Sequence, residues 1–134
     1  MLAKLRVGLE GIGFSVERGK RAVERIRLPV LFGEQGTPRV TYEVDGFHDE
    51  LGIALAVEAG RAWMGNALYR DLIRASLVVD ANYLALGVMN GCRYQSSGRT
   101  QINHSYAETK DMLDAVYASG RLQLPFKGLL LFGY

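Results

Sequence analysis

Cysteine is nearly absent. Cys92 stands alone, so no intramolecular disulfide can form, and no cluster of Cys and His supplies the four ligands of a structural zinc. A reducing compartment is the expected setting. Long apolar runs are missing too: none approaches the roughly 18 residues of a membrane span. The first residues lack the continuous apolar stretch and small-residue cleavage site of a secretory signal. Together these absences predict a cytoplasmic protein with no membrane partner. There is no Gly-rich loop ending in Lys-Ser or Lys-Thr, no strand followed by Gly-x-Gly-x-x-Gly, and no Gly-x-Ser-x-Gly elbow. Nucleotide-binding and serine-hydrolase classes are set aside on that ground. A strong charge of one sign is also lacking, since 16 basic residues face 14 acidic ones for a net charge of +2. That imbalance alone does not require a nucleic-acid partner.

What is present is an ordinary globular composition, 49% hydrophobic and 22% charged over 134 residues, which predicts a single soluble domain spanning residues 1–134. At this length roughly two thirds of the unfolded surface can be buried, enough for one core. Any site must share it. Twelve of the 16 basic residues are Arg, whose planar fork suits phosphate and carboxylate.

Leu2, Leu5, Leu9 and Ile12 recur at helical spacing, so the chain opens with a short amphipathic helix that ends near Gly11 or Gly13. Pro29 keeps Leu28–Phe32 out of a helix, and an extended edge segment is expected there, closed by the turn residues Gly33 to Pro38. Arg39 to Asp45 alternates, with Val40, Tyr42 and Val44 on one face and Thr41, Glu43 and Asp45 on the other. Leu51 to Gly60 alternates as well, with Ile53, Leu55 and Val57 opposite Ala54, Ala56 and Glu58. The short link Gly46–Glu50 predicts that these two strands form an antiparallel hairpin. A helix follows from Asn66 or Ala67 to about Val79, with Leu68, Leu72, Ala75 and Val79 on its apolar stripe. Tyr83–Met89 reads as a buried strand, so the helix before it is a crossover to a parallel neighbour. The polar stretch Asn90–Ser105 is expected to be a long loop, Tyr106–Ser119 a helix stopped by Gly120, and Gly128–Tyr134 a last buried strand. The predicted class is α/β, a three-layer domain with a central mixed sheet flanked by helices.

The chemistry-bearing residues on this scaffold are acidic. Asp45 ends one predicted strand and Glu58 lies at the end of the next, each on the face opposite its strand's main apolar stripe, so the two carboxylates can converge. Two such groups suit a hard, oxygen-seeking cation such as Mg²⁺ or Mn²⁺, which can polarise a phosphate and activate water. Glu43, two residues before Asp45, is a reserve acid on the same face.

The run Val44-Asp45, a turn, then Ala56-Val57-Glu58-Ala59-Gly60, a helix containing Tyr69-Arg70-Asp71-Leu72, and the strand Tyr83–Met89 resembles the core of the restriction-endonuclease-like PD-(D/E)xK phosphodiesterases. The resemblance spans about residues 1–90. It implies a core of helix, three-stranded meander, helix and strand, metal-binding roles for Asp45 and Glu58, and a Mg²⁺- or Mn²⁺-dependent nuclease acting on DNA. Where that family usually carries Lys two residues after the second acid, this chain has Gly60; Arg61, Asn66 and Arg70 are the nearest candidates for the missing group. Members often add a Glu from the first helix, and Glu10 or Glu24 is available for that part. Small nucleases that cut both strands commonly act as twofold dimers, so a homodimer is expected.

Other readings of the same residues stay open. Asp45 before Gly46 is also a common turn pair, and Glu58 is also explained by a salt bridge to Arg61, Arg70 or Arg74. His48 and His104 read as surface residues, and Trp63, Met64 and Tyr69 as core or as the wall of a groove. Arg93, Tyr94, Gln95, Arg99 and Gln101 interleave cationic, aromatic and amide groups, a composition suited to phosphates and base edges and equally to a plain polar loop. The rival functions are a degenerate, non-catalytic interaction module, which Gly60 favours, and a small structural subunit that self-associates around Leu124, Phe126 and Phe132.

Overall fold

The computed structural model describes residues 1–58 and 66–134. Within them, the chain runs through α1 (Leu2–Gly11), β1 (Ser15–Val16), β2 (Ile26–Phe32), β3 (Pro38–Val44), β4 (Gly46–His48) and β5 (Ile53–Val57). It continues through α2 (Ala67–Leu77), β6 (Tyr83–Val88), β7 (Cys92–Ser96), β8 (Arg99–Asn103), α3 (Ser105–Ser119) and β9 (Gly128–Gly133). A five-stranded mixed sheet in the order β1-β4-β5-β6-β9 forms the centre. β4 is antiparallel to both β1 and β5, whereas β5, β6 and β9 are parallel, so α2 and α3 belong to crossovers.

Strand alternation divides the apolar residues between the two faces of this sheet. Ala54, Leu84, Leu86 and Val88 pack with Leu68, Leu72 and Ala75 of α2 and Leu113 of α3. Leu55 and Ala85 face the other way, toward Phe14, Val16 and the half-buried Leu2 and Leu9 of α1. Helices therefore cover both faces. Among the described residues, no helix is long and apolar enough to cross a membrane.

The predicted hairpin between residues 39–45 and 51–60 takes a different form. β3 pairs instead with β2, and the chain runs on through Asp45 into β4, which pairs with β5. One long extended segment thus changes partners at Asp45. Gly46 eases the change: a Cβ there would lie 3.0 Å from Leu55 Cδ2 and 3.1 Å from the Ser15 carbonyl oxygen, so any larger residue would press on β1 and β5 from both sides.

Four further expectations are corrected. Residues 90–105 are not a loop but the hairpin β7–β8, closed by Ser97 and Gly98, both at positive φ (51° and 73°), as a two-residue hairpin turn requires. The α2 stripe ends on Val78, which is buried, while Val79 is 60% exposed, because the helix stops at Leu77 and the chain becomes extended. β9 lies at the sheet edge rather than in its interior, with Leu130 exposed. Phe126 is buried, and Leu124 and Phe132 pack against the core, so they do not form the apolar surface expected of them.

Candidate carboxylate site

The parallel strands β5, β6 and β9 end together, and antiparallel β4 begins at that same end. Asp45 immediately precedes β4, Glu58 immediately follows β5, and Tyr134 follows β9. In open α/β sheets this carboxyl end of the strands is where ligands bind. α2 starts there too and brings Arg70 and Asp71 near its N-terminal end.

Main-chain bonds fix each group. Val57 N–H donates to Asp45 Oδ2 at 2.6 Å, and Asp45 N–H donates to the Leu55 carbonyl at 3.1 Å, so both ends of the aspartate are tied to β5. Glu58 N–H donates to the Gly87 carbonyl at 2.8 Å, continuing the β5–β6 ladder one residue past the strand. The Tyr134 hydroxyl donates to the Glu58 carbonyl oxygen, closing the last strand onto the same residue. A cavity of about 180 Å³ opens here, lined by Glu17, Glu43, Asp45, Ala56, Arg70, Asp71 and Arg74. The alanine at 56 leaves its floor open.

The electrostatics are those of crowded carboxyl groups. Burial pushes Asp45 up from its ordinary 3.8 to about 6, against the stabilising Val57 hydrogen bond and with repulsion from Glu17 and Asp71 added. Burial likewise lifts Glu58 from 4.5 to about 8, helped by a hydrogen-bonding interaction with Asp71. The nearby charges of Asp71 and Asp45 raise Glu58 further, and Arg70 opposes them. The Tyr134 hydroxyl is also held up, by burial and then by the negative field of Glu58 and Asp45.

Asp45 and Glu58 lie at neighbouring strand ends and the charge of Asp45 acts on Glu58, but of the two only Asp45 lines the cavity. Arg70 reaches the site, but its Nε pairs with Asp71 Oδ1 at 3.0 Å rather than bridging Glu58. Arg74 lines the cavity with its guanidinium over the Tyr42 ring, 5.6 Å from the centroid. Glu43, the reserve acid, is clamped by Arg25 at 2.6 Å and Arg27 at 3.1 Å. Although burial pushes its carboxyl up, the bonds from Arg27 and Arg25 win and hold it below the usual range. Glu10 and Glu24 are occupied by Arg18 and Arg21. Arg61 and Gly60, with Trp63 and Met64, lie outside the described residues. Tyr69 is 41% exposed rather than part of the core. His48 is not a surface residue: it is buried, with its ring edge-on to Phe14 at 5.3 Å. Arg93, Gln95 and Arg99 sit together on the β7–β8 hairpin.

Three groups at the site went unassigned in the sequence. Asp71 was visible as the acid after Arg70 on the predicted helix, and starting α2 at the strand ends would have placed it beside Glu58. Glu17 follows a two-residue strand too short to register as one, and its N–H donates to the Asp45 carbonyl at 2.8 Å. Tyr134 reaches Glu58 across 76 residues of sequence, a contact no local pattern encodes.

The donor set suits a hard divalent cation. Asp45 and Glu58 offer only oxygen, and burial holds both carboxyls above their ordinary range, a condition a cation relieves. Among the described residues, no group of three or more His, Cys, Asp or Glu is arranged to hold a metal ion. Two protein carboxylates are nevertheless enough for Mg²⁺, which keeps several waters and takes further oxygens from a phosphate. No protein-family model, curated protein or solved structure matches the chain.

Proposed function

We propose that the protein is a divalent-metal-dependent phosphodiesterase acting on DNA, with Asp45 and Glu58 holding Mg²⁺ or Mn²⁺. The observation that carries this reading is the convergence of Asp45 and Glu58 on neighbouring strand ends, where Val57 N–H pins the Asp45 carboxylate. The order of the central elements supports it in part: α1, then antiparallel β1, β4 and β5, then α2 crossing to parallel β6, follow the core that the restriction-endonuclease-like resemblance implies, with the β2–β3 pair inserted between β1 and β4.

In this reading Asp45 and Glu58 would hold the cation, which would supply Lewis-acid polarisation of a phosphate oxygen and a more acidic water. Asp45 is held in one orientation by its two bonds to β5. Glu58, held protonated up to about pH 8, would have to ionise to serve as a ligand, and Tyr134 fixes the backbone that carries it. Arg70, at the N-terminal end of α2, supplies positive charge beside the phosphate in place of the Lys that Gly60 does not provide. A twofold dimer would bring two such sites to the two strands of a duplex.

Gly60 favours a second reading, a nucleic-acid-binding module without hydrolysis, and the pairing of Arg70 with Asp71 points the same way. Incubation of supercoiled plasmid with Mg²⁺ or Mn²⁺, against an EDTA control and Asp45→Asn protein, separates the two. Metal-dependent nicking that is lost in the variant supports the hydrolase. No nicking by the wild type under either metal removes the hydrolytic assignment and leaves the module.

A further inference from the structure

We propose that the β7–β8 hairpin is a two-stranded ribbon that enters the major groove of double-stranded DNA beside the carboxylate site, with Arg99 and Gln101 on its reading face. This rests on the nucleic-acid reading above and adds the element and the form of substrate it grips.

Placement comes first. β7–β8 is a sheet of its own, and it leaves the central sheet at the carboxyl end of β6, where Glu58 and Asp45 lie. Its root is tied into the site: Asn90 N–H donates to the Tyr134 carbonyl at 2.9 Å, Tyr134 N–H donates to the Val88 carbonyl at 3.1 Å, and the Tyr134 hydroxyl donates to Glu58. A duplex held by the ribbon would therefore lie against the carboxylates.

Charge is the second argument. Residues 81–107 contain no Asp or Glu, although the chain has 14 in all, while the hairpin carries Arg93 and Arg99. An acid-free cationic projection next to a cluster of acids draws the phosphate backbone toward the ribbon.

Shape and side-chain order complete it. Each strand has five residues, about 17 Å at roughly 3.4 Å per residue. The major groove of B-DNA, roughly 12 Å wide, admits a two-stranded ribbon, whereas the deep, narrow major groove of duplex RNA does not. The register Tyr94↔Gln101 and Ser96↔Arg99 puts these four side chains on one face. There the Tyr94 hydroxyl donates to Gln101 Oε1 at 2.8 Å, so the amide is set before any base arrives. Arg99, exposed and across from the small Ser96, keeps room for a two-pronged contact to guanine.

The test is fluorescence anisotropy of labelled DNA duplex, single strand and RNA duplex in EDTA, where no strand is cut, across a salt series. The proteins are wild type, Arg99→Ala, Arg99→Lys and Arg121→Ala, the last removing an exposed charge after α3. The expected result is a preference for DNA duplex, weakened about tenfold by Arg99→Ala at every salt concentration, not restored by Arg99→Lys, which lacks the planar fork, and unmoved by Arg121→Ala. Duplex binding that Arg99→Ala alters no more than Arg121→Ala overturns the ribbon and leaves the nucleic-acid reading intact. Preference for single strands or RNA overturns the duplex assignment. Absence of binding to all three by wild type removes the nucleic-acid reading itself, and the ribbon with it.

Discussion

Val57 holds the carboxylate of Asp45 by its backbone N–H, at 2.6 Å, across the seam where β4 begins and β5 ends. The bond favours the charged form of Asp45, yet burial and the neighbouring acids outweigh it and keep the proton on to about pH 6. The carboxyl group is thus held in place, with its proton kept on by burial.

The first consequence is a stability that falls as pH rises. In the unfolded chain Asp45 and Glu58 ionise near 3.8 and 4.5, whereas in the folded protein they hold protons to about 6 and about 8. Between those limits the folded state binds more protons than the unfolded one, so their stabilising contribution is complete below about pH 4 and is lost by about pH 8. Urea midpoints measured in EDTA should decline across that window. Asp45→Asn and Glu58→Gln should each flatten the decline, and Mg²⁺ should raise the midpoint more at pH 8 than at pH 5. A wild-type profile that stays level from pH 5 to 8 would speak against this account of the two groups.

Gly46 sets the partner change that places Asp45. Gly46→Val puts a branched side chain against Leu55 and the Ser15 carbonyl, with the first carbon already 3.0 to 3.1 Å from both. Overpacking of this kind destabilises by about 1–3 kcal/mol. Chemical denaturation should show that loss, and metal binding should weaken in the folded fraction because β4 is forced away from β5. A variant of wild-type stability would mean that β1 and β5 are not in close contact through this glycine.

Tyr134 acts on Glu58 through the backbone. Tyr134→Phe removes one hydroxyl and leaves the ring, so the fold should persist while the end of β5 loses its outer tie. Losing such outer support typically lowers metal affinity by about tenfold or more. Mn²⁺ titration of the variant should show that drop with unchanged circular dichroism. Equal affinity would make the hydroxyl bond incidental.

Much of the frame was legible in the sequence because periodicity reports which residues face a core. The apolar runs at 53–57, 83–88 and 128–133 and the α2 stripe of Leu68, Leu72 and Ala75 all appear as elements. What pattern does not report is which strands pair. Residues 39–45 alternate, and Gly46-Phe47-His48 read as a link rather than as a strand with new partners; the exchange of β2 for β5 at Asp45 turns on Gly46 meeting the Leu55 side chain and the Ser15 carbonyl, both distant in sequence. The β7–β8 hairpin was hidden because both of its faces are polar, leaving only Ser97-Gly98 as a turn signal. At the site, Asp45 and Glu58 stood out as acids closing alternating strands. Asp71, Glu17 and Tyr134 join them only through the folded arrangement of strand ends.

The most direct test of the central claim is Mn²⁺ binding followed by electron paramagnetic resonance, comparing wild type with Asp45→Asn and Glu58→Gln at pH 8, with folding checked by circular dichroism. The account predicts saturable binding to wild type that each substitution weakens by tenfold or more while the fold is retained. Binding that both variants keep at wild-type strength, or no binding by folded wild type, would contradict it.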